Sequence, residues 1–199
     1  KLENFPLGAT QPLKTELKIP ASSILIGTVS RLVTEKNINL LLSTFAKVSP
    51  NFPNAFLVIC GDGPEKTQLM ELSRIYGLTH KIFFLGFRSD IATILSSLDL
   101  YCQLSSFEGM SNSIIEALVS GCPLLVSDIE PNREICTDEK NGLLVNINNP
   151  DAIILKLTEL LRNDALRTKM CEENIALRTK FSLQNTVRLF NDETKKLLN

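Results

Sequence analysis

The sequence of 199 residues has no tryptophan, only one histidine, and no long apolar run. A membrane-spanning helix needs about 20 apolar residues, so no such helix is predicted. The net charge is −1 and no long stretch is strongly basic, which argues against DNA or RNA as a partner. An apolar fraction of 44% with 22% charged residues is typical of a globular domain and not of a disordered chain.

Several nucleotide- and metal-binding motifs are also absent. The sequence has no G-x-G-x-x-G fingerprint and no G-x-x-x-x-G-K-[ST] loop, which argues against dinucleotide-binding proteins and P-loop NTPases. The cysteines are widely spaced and form no C-x-x-C pair. We therefore expect thiols that are buried or half-buried in a reducing compartment, without a disulfide. They are Cys60, Cys102, Cys122, Cys136 and Cys171.

Three prolines interrupt residues 1–22, so this segment is predicted to be an extended connector. The chain begins with Lys1 and has no signal-like apolar segment, so we expect a fragment of a longer cytoplasmic protein. From Ile24 onward, short apolar runs alternate with amphipathic stretches. The predicted strands are residues 24–29, 55–60, 82–85, 98–104, 123–127 and 143–147.

Apolar residues at helical spacing fill the intervals between these strands. Helices are predicted near residues 38–48, 69–76, 89–97 and 112–120, and then over 151–163, 165–179 and 183–198. Strands that are apolar on both faces and alternate with helices predict an α/β fold with a doubly wound, six-stranded parallel sheet. In such a sheet a ligand binds at the carboxyl ends of the strands, where the strand order reverses.

Two loops that follow strands contain candidate binding residues. Gly27 lies near the end of the first strand, where the lack of a Cβ permits close approach of a ligand. Arg31 and Lys36 follow it and could reach an anion across the crevice, or they could be solvated surface residues. The Gly-Asp-Gly-Pro sequence at residues 61–64 is either a wall beside a nucleotide or a tight turn.

The segment 105–121 follows a strand and opens a helix. Backbone N–H groups at a helix N-terminus lack intrahelical partners and favour a phosphate. Here those groups belong to Gly109, Met110, Ser111 and Asn112. Glu108 and Glu116 lie eight residues apart and could accept hydrogen bonds from sugar hydroxyls, or they could be an ordinary loop charge and an ordinary helix charge.

Two other polar residues, Glu134 and His80, lie next to predicted strands. Glu134 follows the next strand at the same edge, and it is either functional or a glutamate in the first turn of a helix. His80 lies in a polar turn before a strand, and we expect no catalytic role for it.

Taken in order, these residues resemble the C-terminal, donor-binding half of the retaining GT-B glycosyltransferases of family 4. The resemblance covers about residues 24–198. It rests on Gly27, Arg31 and Lys36; residues 61–64; Leu85-Gly86-Phe87; Asp99 and Ser105; the E-x7-E pair of Glu108 and Glu116; Gly121-Cys122-Pro123; Glu134; and Asn141-Gly142-Leu143-Leu144-Val145.

The resemblance implies binding of a nucleotide sugar and transfer of a hexose to a glycan, a lipid-linked sugar or a small acceptor. Arg31 and Lys36 would neutralise the donor diphosphate, Glu116 would bind the ribose, and Glu108 would bind a hexose hydroxyl. The other donor contacts would come from Gly27, Gly61, Gly63, the backbone near Phe87 and Arg88, the amides of Gly109, Met110, Ser111 and Asn112, and Glu134.

The family works without a metal or a cofactor, and the sequence has no D-x-D motif. The resemblance favours a UDP-sugar over a GDP-sugar. It implies that residues 1–22 lead from a missing N-terminal acceptor domain, that residues 23–180 bind the donor, and that residues 181–199 form a helix packed toward the missing domain. Peripheral membrane association would depend on that other domain.

Two departures from the family pattern concern specificity and the first loop. Residues 129–134 replace the Gly-Gly-x-x-Glu approach to the third glutamate, and Asn37 stands where a glycine is frequent. Two other functions stay open: a non-catalytic nucleotide-binding or interaction module of the same fold, and half of a nucleotide-sugar epimerase.

Overall fold

The computed structural model of the protein describes residues 12–109 and 111–181. Its centre is a sheet of six parallel strands, which confirms the predicted fold class. The strands are β1 (Ile24–Val29), β2 (Ala55–Cys60), β3 (Ile82–Gly86), β4 (Leu100–Gln103), β5 (Leu124–Ser127) and β6 (Gly142–Val145). β4 is shorter than the strand predicted over residues 98–104. Leu98 and Leu104 belong to the apolar run and are buried, but they lie outside the strand.

The strands are arranged in the order β3-β2-β1-β4-β5-β6. This is the order of a Rossmann-type sheet, built outward in both directions from β1. Crossover connections run from β1 to β2 on one side, while β4 pairs with β1 on the other. The strand order therefore reverses between β1 and β4, and the loops that follow these two strands flank the predicted crevice.

Eight α-helices accompany the strands in the described residues. They are α1 (Pro12–Glu16), α2 (Ile38–Val48), α3 (Lys66–Ile75), α4 (Ile91–Ser96), α5 (Asn112–Val119), α6 (Glu130–Arg133), α7 (Pro150–Arg162) and α8 (Asp164–Leu177). The chain leaves α5 through Gly121, whose φ of 79° is the left-handed conformation that commonly ends a helix. The helix predicted over residues 183–198 lies outside the described residues.

The helices cover both faces of the sheet and create one hydrophobic core on each side. Side chains of α2, α3 and α7 pack on one face, where Phe45 and Leu157 are fully buried. Side chains of α1, α4 and α5 pack on the other, where Leu95 and Leu118 are fully buried. Burying such a side chain contributes about 1.5 to 3 kcal/mol, so the two cores hold the strand ends in place.

The prediction of an extended connector is wrong for residues 12–16, which form α1. Leu13 is buried in the hydrophobic core, and the ammonium of Lys14 lies 2.8 Å from the Asp99 carboxylate. The same ammonium donates to the backbone carbonyl of Ser23 at 2.6 Å. Contacts with residues distant in sequence stabilise this short helix, and local sequence patterns do not report them.

The cysteines and the helix lengths agree with two sequence predictions. All five cysteines are free thiols; four are buried and Cys171 is half-buried. Burial raises the pKa of the Cys60 thiol to about 11 and that of Cys136 to about 12. None of the helices formed by residues 12–109 and 111–181 is long and apolar enough to cross a bilayer.

Candidate functional site

The loops after β1 and β4 contact each other at the carboxyl ends of the strands. The backbone amide of Ser106 donates to the carbonyl of Glu35 at 2.8 Å. The Asn37 side chain donates to the carbonyl of Leu104 at 3.0 Å. These two bonds fix the loops relative to each other at the edge of the sheet where the crevice is predicted.

An ion pair connects the two loops. The Lys36 ammonium lies 2.5 Å from Oε1 of Glu108, and the side chains are 20% and 8% exposed. The same oxygen accepts a hydrogen bond from the Gln103 amide at 2.6 Å. The structure therefore brings together two of the predicted site residues, although the family resemblance implied a different ligand group for each. Oε2 of Glu108 makes no hydrogen bond with the described residues, so it is available to a ligand hydroxyl.

Asn37, which stands where a glycine is frequent in the family, adopts φ 48° and ψ 40°. This left-handed conformation is costly for most side chains, and asparagine tolerates it better than others. Asparagine therefore preserves the backbone turn that begins α2. Its side chain adds the bond to Leu104, which a glycine could not make.

The start of α5 contributes backbone donors that have no acceptor among residues 12–109 and 111–181. The hydroxyl of Ser111 does not cap the helix and instead donates to the Asn132 side chain at 3.0 Å. No described residue accepts a hydrogen bond from the backbone amides of Ser111, Asn112 or Ser113. Gly109 is exposed and Met110 lies outside the described residues, so the predicted contact of Met110 stays a prediction. Backbone N–H groups at a helix N-terminus that have no acceptor among the described residues form a favourable position for an anion.

Two further predicted residues are unpaired in the described part of the chain. Glu116 lies within α5 and is half-buried; burial raises the pKa of its carboxyl group above the ordinary range. Its carboxylate makes no hydrogen bond or ion pair with residues 12–109 or 111–181. Arg31 is exposed in the loop after β1, and its guanidinium likewise contacts no described carboxylate. Both side chains are free to contact a ligand.

Three of the four predicted donor-binding glycines, all except Gly109, have packing roles in this structure. Gly27 lies inside β1, not near its end, and a Cβ there would come within 2.5 Å of Leu98. A Cβ on Gly61 would lie 1.8 Å from the Ser30 carbonyl oxygen, and one on Gly63 would lie 2.4 Å from that of Leu32. The backbone of the neighbouring loop already occupies the space that these glycines leave, which favours the tight turn over a wall beside a nucleotide.

Phe87 and Arg88 follow β3 at the same edge of the sheet. Phe87 is 83% exposed, and Arg88 forms paired hydrogen bonds with both Asp90 and Glu16. These bonds to Asp90 and then to Glu16 raise the pKa of the Arg88 guanidinium. The Arg88 side chain is thereby held by protein carboxylates, and the predicted contact of this segment with a base would come from its backbone.

Glu134 and His80 lie at the margins of the site. Glu134 is exposed and follows the last residue of α6, so its interpretation as a first-turn glutamate is wrong; Glu130 occupies that first turn. The structure assigns Glu134 no partner among the described residues. His80 is exposed in the turn before β3, away from the crevice, as its sequence context predicted.

Three polar residues that sequence reasoning missed, Gln103, Tyr101 and Ser113, form a hydrogen-bond network that ends at Glu108 of the ion pair. Gln103 and Tyr101 are buried in β4, and the Tyr101 hydroxyl donates to the Gln103 amide oxygen at 2.6 Å. Ser113 donates to that oxygen at 2.8 Å. A glutamine inside an apolar run could have indicated this network from the sequence, because a buried amide requires hydrogen-bond partners.

The part of the chain that the structure describes contains no candidate metal site. No group of three or more histidine, cysteine, aspartate or glutamate side chains is arranged to hold a metal ion there. The predicted independence of a metal stays a prediction. Among the described residues, the groups at the crevice that could face an anion are the Arg31 and Lys36 side chains and the backbone amides at the start of α5.

Comparison with known proteins relates this chain to glycosyltransferases. The family model described as "Glycosyl transferases group 1" matches residues 10–176. A Campylobacter jejuni protein named N-acetylgalactosamine-N,N'-diacetylbacillosaminyl-diphospho-undecaprenol 4-alpha-N-acetylgalactosaminyltransferase is 31% identical over 171 residues, which cover 85% of this chain and 45% of that protein. The chain spans about half the length of the curated relatives that it matches first.

Two solved structures have the same fold over most of the chain. A mutant form of S. aureus TarM, in complex with fondaparinux, alpha-GlcNAc-glycerol and UDP, matches with a TM-score of 0.77 and 26% identity over 87% of this chain and 37% of that one. The C-terminal domain of the group 1 glycosyltransferase LpcC from Francisella tularensis matches with a TM-score of 0.83 and 24% identity, over 92% of this chain and 98% of that one. Both comparisons confirm the predicted Rossmann-like, GT-B class of fold.

Proposed function

Because the chain belongs to the glycosyl transferases group 1 family, we propose that it is the nucleotide-sugar-binding half of a retaining, metal-independent glycosyltransferase of family 4. The donor is a UDP-sugar, and the transferred group is a hexose. The acceptor is a glycan, a lipid-linked sugar or a small molecule, held by an N-terminal domain.

The ion pair across the crevice is the observation that carries this proposal. Lys36 and Glu108 come from loops on either side of the point where the strand order reverses, and they lie 2.5 Å apart. That point is where open α/β sheets bind their ligands. The pair places a cation suited to phosphate beside a carboxylate suited to sugar hydroxyls, next to the free amides of α5.

Each charged group of the crevice matches one part of a nucleotide sugar. The Lys36 ammonium has three donors, so it can keep its bond to Glu108 and still donate to a diphosphate oxygen. Arg31 adds a second cation, and the amides of Ser111 and Asn112 add neutral donors. The Glu116 carboxylate accepts from the ribose hydroxyls, and Oε2 of Glu108 accepts from the hexose.

Transfer requires that negative charge on the departing diphosphate be stabilised. Fixed cations and backbone dipoles do this without having to reorganise during the reaction. Arg31, Lys36 and the start of α5 supply both kinds of group, so no metal ion is needed. Retention would follow from attack on the same face that the diphosphate leaves, with a leaving phosphate oxygen as the base and no side-chain nucleophile.

The relatives support the choice of donor and acceptor class. TarM was crystallised with UDP, and the Campylobacter protein is named for transfer to a diphospho-undecaprenol-linked substrate. The match to almost the whole LpcC C-terminal domain supports the assignment of this chain to the same half. Acceptor binding, a cytoplasmic location and peripheral membrane contact then depend on the remainder of the enzyme.

Calorimetric titration of the chain with UDP, GDP, ADP and their common sugar conjugates tests the proposal. We expect selective binding of UDP and UDP-sugars that EDTA does not weaken. Glu116→Ala removes one or more hydrogen bonds to a charged acceptor, so we expect affinity for UDP to fall about 10- to 150-fold. Lys36→Ala should weaken binding most at low salt, since its contribution is electrostatic.

Matched controls separate these effects from general damage. Glu159→Ala and Lys47→Ala remove exposed charges of the same types from α7 and α2 and should leave affinity unchanged. A folded Glu116→Ala variant that binds UDP as tightly as the parent would contradict the ribose assignment. A parent that binds none of the nucleotides would contradict the donor function of this chain.

A further inference from the structure

The central strand β4 contains two buried polar residues on one face. Tyr101 and Gln103 are two positions apart, so their side chains lie on the same side of the sheet, and they are 0% and 2% exposed. Strands of a covered parallel sheet are ordinarily apolar on both faces, because an unpaired buried amide costs free energy. This pair therefore needs a reason, and the hydrogen bonds of Gln103 indicate one.

The surroundings of Gln103 determine which way its amide points. Its oxygen accepts from the Tyr101 hydroxyl at 2.6 Å and from the Ser113 hydroxyl at 2.8 Å. Its nitrogen donates to Oε1 of Glu108 at 2.6 Å. A carboxylate can only accept and the two hydroxyls can donate, so the reverse orientation would oppose two oxygen atoms at Glu108. Three partners thus direct one N–H group at the carboxylate.

Lys36, the other partner of Glu108, is the residue that would turn toward the donor. Lys36 and Gln103 both bind Oε1, and Glu108 itself lies in a loop without regular secondary structure. A diphosphate that draws the Lys36 ammonium toward itself weakens its bond to Glu108. The amide of Gln103 is neutral and anchored inside the sheet, so its bond to Glu108 persists.

We propose that Gln103, oriented by Tyr101 and Ser113, is a positioning residue that keeps Glu108 directed at the donor hexose while Lys36 engages the diphosphate. This inference rests on the proposed function of the site. It assigns Gln103 an effect on the sugar part of the donor and none on the nucleotide part. A residue that only filled the core would affect both parts or neither.

The test compares the binding of UDP with that of UDP-glucose and UDP-N-acetylglucosamine, using the whole chain in calorimetry. Gln103→Met keeps an unbranched side chain of similar length and removes the donor to Glu108. We expect the affinity for UDP to stay unchanged and the additional affinity for the preferred UDP-sugar to fall about tenfold, the effect of one hydrogen bond to a charged group. Glu108→Gln should produce a similar loss, and the double variant should lose little more than either alone.

Two further variants keep the result interpretable. Leu100→Val lies in the same buried strand and removes no hydrogen-bonding group, so it should leave the preference for the UDP-sugar intact. Tyr101→Phe retains Gln103 but removes one of the two hydroxyls that orient it, and it should reduce the preference by a smaller factor. It also serves if Gln103→Met does not fold.

Two distinct failures can be recognised. If the parent prefers a UDP-sugar to UDP and neither Gln103→Met nor Tyr101→Phe reduces that preference, the positioning role is overturned while the donor function stands. The role is also overturned if the losses from Gln103→Met and Glu108→Gln simply add. If the parent binds neither UDP nor either conjugate, the proposed function fails and the role of Gln103 fails with it.

Discussion

Replacing Lys14 by methionine tests whether α1 belongs to the cooperatively folded domain. The Lys14 side chain is 3% exposed, and its ammonium lies 2.8 Å from Asp99 and 2.6 Å from the Ser23 carbonyl. Methionine preserves the apolar stem and removes the charge. Asp99 then keeps the backbone amide of Leu25, at 2.7 Å, as a hydrogen-bond donor.

The expected loss of stability follows from the burial of the two partners. Removing one side of a buried ion pair costs about 3 to 5 kcal/mol, because the other charge is left uncompensated. The Asp99 side chain is 29% exposed, so water solvates it in part, and we expect the lower end of that range, about 3 kcal/mol. In a chain of 199 residues this lowers Tm by roughly 6 to 12 °C.

Urea unfolding followed by circular dichroism measures the loss, and the m value should not change. Lys47→Met, an exposed lysine on α2, is the control and should be nearly neutral. Lys14→Met combined with Asp99→Asn removes both charges and should cost less than the sum of the single variants. A cost below about 1 kcal/mol for Lys14→Met, as for an exposed pair, would refute the inclusion of α1 in the domain.

Three further predictions concern individual side chains of the domain. Burial raises the pKa of Glu116, so the folded protein loses stability as the pH rises through that pKa. Glu116→Gln should therefore raise the urea midpoint at pH 7 and lose this advantage at pH 4. A lower midpoint for the variant at pH 7 would contradict this and indicate a partner for the carboxylate. Gly61→Ala should lower the free energy of unfolding, measured in urea, by at least about 2 kcal/mol, because φ at Gly61 is 136° and the new Cβ would meet the Ser30 carbonyl. Gly109→Ala, where a Cβ would meet open space, is the control and should be nearly neutral. Cys171 should be the first thiol to react with a disulfide reagent in the native state, since the other four are buried; simultaneous reaction of all five, read by peptide mapping, would contradict the packing.

The sheet and most of its helices could be predicted because their signals are local. Apolar runs of strand length alternate with helical spacing, and β1 and β2 begin and end where the runs do. α1 could not be predicted in this way, because five residues with a proline carry little helical preference of their own. Its stability comes from Leu13 and Lys14, whose partners are distant in sequence.

The glycines show why residue type alone does not identify a ligand contact. A glycine in or just after a strand permits close approach, but the sequence does not say which group approaches. At Gly61 and Gly63 it is the backbone of the loop after β1, and at Gly27 it is the Leu98 side chain. Resolving this requires the relative positions of two loops, which depend on the order of strands in the sheet.

The charged residues of the crevice raise the same difficulty in a different form. Lys36 and Glu108 were each identified from the sequence, but their mutual contact depends on β1 and β4 being neighbours. That contact affects both residues, because a diphosphate bound to Lys36 shares its ammonium with Glu108. Gln103 gives the carboxylate a second, uncharged donor that a phosphate does not attract. The buried position of Gln103 in β4 therefore directs attention to Glu108, the carboxylate to which it donates. In the proposed mechanism that hydrogen bond holds Glu108 in place when the donor binds.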